Sequence, residues 1–375
     1  MVNSTLPLYI EEARQWEIGI VVGAMGIISV GLRPFTGRWV DRVGRRPLLL
    51  LGAVTVLAAF AAYAITDAII PLIAVRLAHG VGMTLYTTAS LTLVADLAPA
   101  SRRGEAVGTF SMVNNVTQVY APLLAFAVAT HWGFTPLFAI AVGSAVLSLG
   151  AASAVRDPLP TPSGPDAADF PLADRPASPL FSRSALLPSS VFFPFTVAMS
   201  AIWAFLPLFA KERDLGDPGL FFTLFGLALV LVRPLAGPGS DRWGRSYIIV
   251  PGLALAALAM AILAVANDQA VFLVVPVLFG AAFAMGHTGL LALTLDRSHA
   301  GERGAAMATF ALTWDVGAAA GPIILGVVAA TSSYATVYVI LAGLALAGLL
   351  SYLAVTRLPQ PAASQPAASD SSPTG

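Results

Sequence analysis

Eleven stretches of this chain are apolar for long enough to cross a lipid bilayer, and that excludes nearly every other fold. They fall at roughly 18–39, 47–66, 71–95, 104–130, 134–155, 186–210, 217–239, 246–266, 270–295, 303–330 and 334–356. A span needs about 20 mostly apolar residues in a helix, which satisfies its own backbone hydrogen bonds inside the membrane. A transmembrane barrel would alternate apolar and polar residues instead, and these stretches do not. Composition agrees: 57% of the 375 residues are hydrophobic and 11% are charged, under half of the roughly 25% usual in soluble domains. Mean hydropathy is +0.81. So few charges cannot cover a water-exposed surface. The expectation is an all-α integral membrane protein.

The same inventory removes several functions. Net charge is zero with a pI near 6.9, so no basic footprint for nucleic acid exists. There is no cysteine, hence no disulfide and no thiolate metal site. Four scattered histidines lack metal-ligand spacing. No Gly-Lys-Ser/Thr phosphate loop and no catalytic nucleophile motif occur, so neither an enzyme nor an ATP-driven pump is expected, and no cofactor or metal is implied. The N-terminus, MVNSTLPLYIEEARQ, lacks the basic region and apolar run of a signal peptide.

Positive charge sets the orientation. If the loop holding Arg38, Arg42, Arg45 and Arg46 is cytoplasmic, then Arg102, Arg103, Arg156, Arg175, Arg183, Arg242, Arg245, Arg297, Arg303 and Arg357 share its side. The other side receives Arg14, Lys211 and Arg213, while Arg33, Arg76 and Arg233 fall inside spans. Such a bias places the C-terminus in the cytoplasm. Residues 156–185 and 358–375 are rich in Pro, Ser, Ala and Asp. They read as a flexible cytoplasmic linker and a disordered tail.

The chain repeats itself at an offset of 200 residues. Leu6-Pro7-Leu8 matches Leu206-Pro207-Leu208, Arg33-Pro34 matches Arg233-Pro234, and Asp41-Arg42 with Gly44-Arg45 matches Asp241-Arg242 with Gly244-Arg245. The register persists through Gly80/Gly280, Asp96/Asp296, Arg103-Gly104/Arg303-Gly304, Thr109-Phe110/Thr309-Phe310 and Pro122/Pro322. This predicts two pseudo-symmetric helical bundles, 1–155 and 186–357, joined by the 156–185 linker. Parallel repeats of this kind belong to transporters in which two bundles rock about a central site.

Gly37-Arg38-Trp39-Val40-Asp41-Arg42-Val43-Gly44-Arg45-Arg46 resembles the signature loop between helices two and three of the major facilitator superfamily. Gly237 to Arg245 resembles its weaker copy between helices eight and nine. Arg33-Pro34, Ala95-Asp96-Leu97-Ala98-Pro99 and Arg102-Arg103-Gly104-Glu105-Ala106 are most similar to bacterial efflux-type members. The resemblance implies twelve helices, and Leu6-Pro7-Leu8-Tyr9 looks like the outer end of helix one, of which little else precedes Glu11. Eleven spans are therefore expected here, from a start placed too far downstream or from a truncation.

Several residues become candidates on these grounds. In the motif, Gly37, Gly44, Gly237 and Gly244 suit a tight turn with close backbone approach. Asp41 and Asp241 are read near the start of the following helix, where the dipole favours an acid. The resemblance implies that these acids, with Arg42, Arg45, Arg242 and Arg245, form a cytoplasmic latch between the bundles; the alternative is that the arginines only fix topology. Asp96, Arg103, Asp296 and Arg303 either join that charge network or are solvated loop charges.

Asp315 lies near the middle of a span, where a carboxylate costs about 2.5–3.5 kcal/mol and marks a polar pathway or a partnered structural acid. Its counterpart is Asn115, beside Asn114 and Gln118. Arg76-Leu77-Ala78-His79-Gly80-Val81-Gly82 resembles the helix-four motif, whose arginine is linked to proton coupling; an arginine at that depth also snorkels to headgroups. His79 adds a titratable group. Trp314 neighbours Asp315, and Tyr86, Thr87, Trp203, His287 and Thr288 are weaker cavity candidates. The helix-five segment Val119-Tyr120-Ala121-Pro122-Leu123 lacks the glycines of the family's antiporters, while Gly317 to Pro322 keeps them.

The leading expectation is a proton-coupled secondary transporter, exporting a small organic compound from a bacterial inner membrane and acting as a monomer. Uptake of a sugar or organic acid, and a non-transporting remnant, are the alternatives.

Overall fold

A computed structural model describes residues 2–66, 68–99, 102–155, 181–299 and 302–357. No strand occurs among them. Residues 156–180 of the expected 156–185 linker and the tail at 358–375 lie outside the described residues, as do the side chains of Arg38, Asp41, Arg103, Asn114, Asn115, Gln118 and Arg303.

The helices are α1 (Val2–Tyr9), α2 (Gln15–Val43), α3 (Arg45–Tyr63), α4 (Ile69–Leu97), α5 (Arg103–Trp132), α6 (Phe134–Ala154), α7 (Leu186–Glu212), α8 (Pro218–Trp243), α9 (Arg245–Val265), α10 (Gln269–Arg297), α11 (Arg303–Thr331) and α12 (Tyr334–Arg357). A single 3-10 turn at Arg183–Ala185 leads into α7. Eleven of these match the eleven expected apolar stretches. Ten are long and apolar enough to span a membrane among the described residues; α5, part of whose side chains are not described, is the other long helix. Residues 2–9 form a short helix around Pro7, packed on α5, α6 and α7.

The helices group into two bundles. In the first, α4 packs on α2 and α3, and α6 covers α3 and α5; in the second, α10 packs on α8 and α9, and α12 covers α7 and α9. The bundles meet along α2 with α11 and along α5 with α8. All loop ends of the α2–α3 and α8–α9 connections lie on one face, here the motif face; the α1–α2 and α7–α8 connections lie on the far face.

Small residues decide the crossing of α2 with α11. A β-carbon added at Gly23 would sit 2.7 Å from the Ala319 carbonyl oxygen, and one at Gly26 would sit 2.7 Å from the Ala318 carbonyl carbon. Gly19 is as close to Pro322, and Gly326 lies against Gln15 and Trp16. Glycine spacing of this kind lets helix backbones touch where bilayer lipid supplies no hydrophobic drive. On the same far half, Phe126 of α5 stacks on Phe222 of α8 at 5.9 Å, and Lys211 Nζ donates to Glu11 Oε2 at 2.6 Å. The far halves of the two bundles are thus closed on each other.

The motif corrects two local expectations. Gly37 does not lie in a turn: α2 runs on to Val43 and α8 to Trp243. The turn is one residue in each copy, Gly44 with φ 100° and ψ 160° and Gly244 with φ 93° and ψ 157°. Of the motif glycines, only these two have positive φ. Nothing lies within 4 Å of an added β-carbon at Gly37 or Gly237, so neither permits a close approach. Asp41 and Asp241 accordingly sit in the last turn of α2 and α8, not at the start of the next helix. In α2 no proline follows Pro34, whereas α8 continues to Trp243 through Pro238 as well as Pro234.

Candidate functional site

Each motif copy places an arginine at the first position of the next helix. Arg45 Nε reaches Asp96 Oδ2 of α4 at 2.9 Å, and Nη1 donates to the Val40 carbonyl at 3.1 Å. In the second copy Arg245 Nε reaches Asp296 Oδ2 of α10 at 2.6 Å, Nη1 donates to Ser240 Oγ at 2.9 Å, and Asp241 also accepts from Arg245. The Nε–Oδ2 contact repeats at the 200-residue offset, and at position 40/240 the Nη1 acceptor is a carbonyl in one copy and a hydroxyl in the other. Each ties its own turn to its own bundle. Asp96 and Asp296 therefore belong with Arg45 and Arg245, whereas Arg103 and Arg303 lie outside the described side chains. Arg42 is exposed, Arg242 lies over the Trp243 ring at 5.5 Å, and Arg46 Nη2 donates to the Ser153 carbonyl at 3.0 Å.

The centre of the molecule holds a cavity of about 100 Å³ lined from both bundles: Asn3, Val22, Met25, Gly26, Ser29 and Arg76 on one side, Ser200, Trp203, Trp314, Asp315 and Ala318 on the other. Trp203 of α7 and Trp314 of α11 meet edge to face at 6.1 Å. Their approach is permitted by the glycines of α11, since Gly317 and Gly321 rest on Thr196, Val197 and Ser200. Ser200 Oγ donates to the Gly317 carbonyl at 3.0 Å.

Asp315 is buried and paired. Arg33 Nη2 donates to Asp315 Oδ1 at 2.9 Å, and Arg33 Nε to Oδ2. This fork-on-carboxylate contact runs from α2 to α11, so it joins one bundle to the other. Sequence reasoning placed Arg33 inside a span without assigning it a partner. The available signal was that Arg33 and Asp315 are opposite charges, each well inside a span.

Arg76 is 2% exposed. Its three donor nitrogens go to the Val21 carbonyl at 3.0 Å, the Val22 carbonyl at 3.0 Å and Asn3 Oδ1 at 2.6 Å. It does not snorkel; it binds α1 and α4 to the far-face third of α2. Asn3 also went unnoticed in the sequence, because polar residues close to a chain end carry no periodic signal. His79 faces away from the cavity, with Nδ1 3.1 Å from the Tyr63 hydroxyl and its ring 5.0 Å from Phe60. Of the weaker candidates, Tyr86 pairs with Ser148 on α6 at 2.8 Å, Thr87 bonds its own helix at Met83, and Thr288 Oγ1 is buried without a hydrogen-bond partner among the described residues. His287 accepts from Arg233 at 3.2 Å. Asn114, Asn115 and Gln118 lie on α5, but their side chains are outside the described residues.

Known proteins share this plan. A multidrug resistance protein, MdtG of Klebsiella pneumoniae, is 23% identical over 98% of this chain and 92% of its own length. The staphylopine export protein of Staphylococcus aureus is 25% identical over 62% of this chain; the match spans 60% of that protein, less than two thirds of its length. A crystal structure of a peptide transporter, POT, superposes with a TM-score of 0.75, covering 95% of this chain and 90% of the other at 16% identity, which speaks to the fold. The profile of the Major Facilitator Superfamily matches residues 1–221 and 213–374. With the doubled clamp and the cavity between two bundles, this chain belongs to the major facilitator superfamily of membrane transporters.

Proposed function

We propose that the protein exports a small organic compound across a bacterial inner membrane by alternating access, driven by protons entering through Asp315. The observation that carries this reading is the Arg33–Asp315 pair beside a cavity built from both bundles. A carboxylate protonates; an arginine does not. Adding a proton to Asp315 removes one charge of the pair, and the contact that joins α2 to α11 weakens to a neutral hydrogen bond. Proton binding thereby acts on the same interface that must loosen for the bundles to rock.

The roles of the other groups follow. Arg76 orders the far end of the first bundle through the α2 carbonyls and Asn3. Trp203 and Trp314 supply apolar wall to the substrate. The Arg45–Asp96 and Arg245–Asp296 clamps hold the motif turns, on the side that the positive charge marks as cytoplasmic, so that Asp41 and Arg42 can engage the opposite bundle when that side closes. Export is favoured over uptake by the two relatives whose names denote export and multidrug resistance.

The test is flux in everted membrane vesicles carrying the chain, with an imposed proton gradient and a panel of labelled organic compounds. Gradient-dependent accumulation, lost in Asp315→Asn with normal membrane insertion, is expected. Accumulation in right-side-out vesicles only would reverse the direction, and undiminished coupling in Asp315→Asn would remove the acid from the mechanism.

A further inference from the structure

The membrane interior of this chain is not electrically balanced. Three arginines, Arg33, Arg76 and Arg233, lie at least about two helical turns from either end of their helices. Asp315 is the one acid as deep; every other Asp or Glu within a long helix falls in its first or last three residues. Asp315 neutralises Arg33. Each nitrogen of Arg76 bonds within its own bundle, to two carbonyls and an amide. Arg233 remains.

Arg233 is half-buried on α8, ten residues and about 15 Å from the motif-face end. Its described partner is His287 Nδ1 at 3.2 Å. Arginine only donates, so the imidazole accepts as a neutral ring and adds no counter-charge. The contact turns the guanidinium toward α10, where His287 lies at the same depth, ten residues from the motif-face end of its own helix. The repeat explains the imbalance. Arg233 is the copy of Arg33, and position 115, the copy of Asp315, holds asparagine. An unpaired cation at this depth costs a few kcal/mol, and snorkelling does not relieve it. The His287 ring stacks on Phe283 at 6.0 Å, and Phe283 meets Trp314 of the cavity wall at 5.8 Å. An aromatic path thus links the unpaired charge to the cavity.

We infer that the transported compound is an organic anion, with a carboxylate or similar group taken by Arg233 and an apolar body against Phe283 and Trp314. This rests on the transporter reading and adds the charge of the cargo to it. The cargo supplies the counter-charge that the second repeat lacks, through the forked geometry that the first repeat uses internally.

The probes are two matched series, 4-phenylbutyrate and octanoate with their amides and amines. Binding to the purified full-length chain is read by quenching of tryptophan fluorescence, since Trp203 and Trp314 flank the cavity. The acids are expected to bind about tenfold more tightly than the amides, the scale of one charge-assisted hydrogen bond. Arg233→Gln should bring acid and amide within about twofold of each other, and Arg233→Lys should keep the acid preference, as a retained charge requires. Amides or amines binding as well as acids, an acid preference that survives Arg233→Gln, or no acid binding at all overturns the inference. Proton movement into vesicles is measured in parallel. Acid preference without proton movement removes the coupling and keeps the anion; proton movement driven by amines alone does the opposite.

Discussion

The Arg33–Asp315 pair permits a quantitative test of how the two bundles are held together. The variants are Arg33→Gln, Asp315→Asn and the double substitution. Opposite charges about 4 Å apart attract by about 4 kcal/mol at an effective dielectric of 20. The Asp315 side chain is 6% exposed but that of Arg33 is 33% exposed, and partial screening on the arginine side lowers this to roughly 2 kcal/mol. Each single variant leaves one charge without its partner and should lose about 2–3 kcal/mol, less than the roughly 3–5 kcal/mol of a fully buried pair. The double variant holds two neutral amides that can bond to each other, so its loss should fall well short of the sum. A coupling energy near 2 kcal/mol is expected, from reversible unfolding in mixed micelles followed by tryptophan fluorescence. Strict additivity, within about 0.5 kcal/mol, would falsify the claim that this pair joins the bundles.

Other perturbations address separate parts of the machine. Gly23→Ala pushes a β-carbon to 2.7 Å from the Ala319 carbonyl oxygen, so α2 and α11 must part on the far half; a single cysteine placed at Met25, in a chain that has none of its own, should react faster with an impermeant maleimide from the far face, and an unchanged rate would contradict the close crossing. Arg45→Gln removes the 2.9 Å contact to Asp96, whose side chain is 30% exposed. It should cost about 1 kcal/mol or less, yet raise protease cleavage at the α2–α3 turn; equal cleavage in Arg45→Gln and the parent would show that the clamp does not order the turn. Lys211→Glu sets two acids against each other at Glu11 and should raise far-face labelling of the same cysteine. Adding Glu11→Lys should restore the parent rate, and failure of that exchange would deny the pair a part in closing the far side.

The fold was legible because the bilayer imposes a length on every apolar run, and the doubled motif announced its own symmetry. The eleven expected stretches correspond to α2 to α12 within a few residues. Contacts between helices were harder. Whether Arg76 snorkels or turns inward depends on which carbonyls lie within reach, and the approach of α2 is a tertiary fact. Likewise His79 and Asp315 both look like lone titratable groups in a helix. Only packing shows that one turns to Tyr63 behind the cavity and the other to Arg33 across it. The motif misled at Gly37, because a glycine in a sequence pattern does not distinguish a turn from a helical residue facing open space. Positive φ at Gly44 and Gly244 makes that distinction.

The Glu11–Lys211 contact has a consequence for how such a chain came to be. These residues are equivalent positions of the two repeats, so each is the other's image under the pseudo-twofold relation, and the point where they meet lies on that axis. In a dimer of identical halves any side chain there would face a copy of itself, and a charge would meet a like charge. A salt bridge at such a place is open only to halves free to differ. The far-face contact therefore belongs to halves whose sequences have diverged, and two identical subunits could not have formed it.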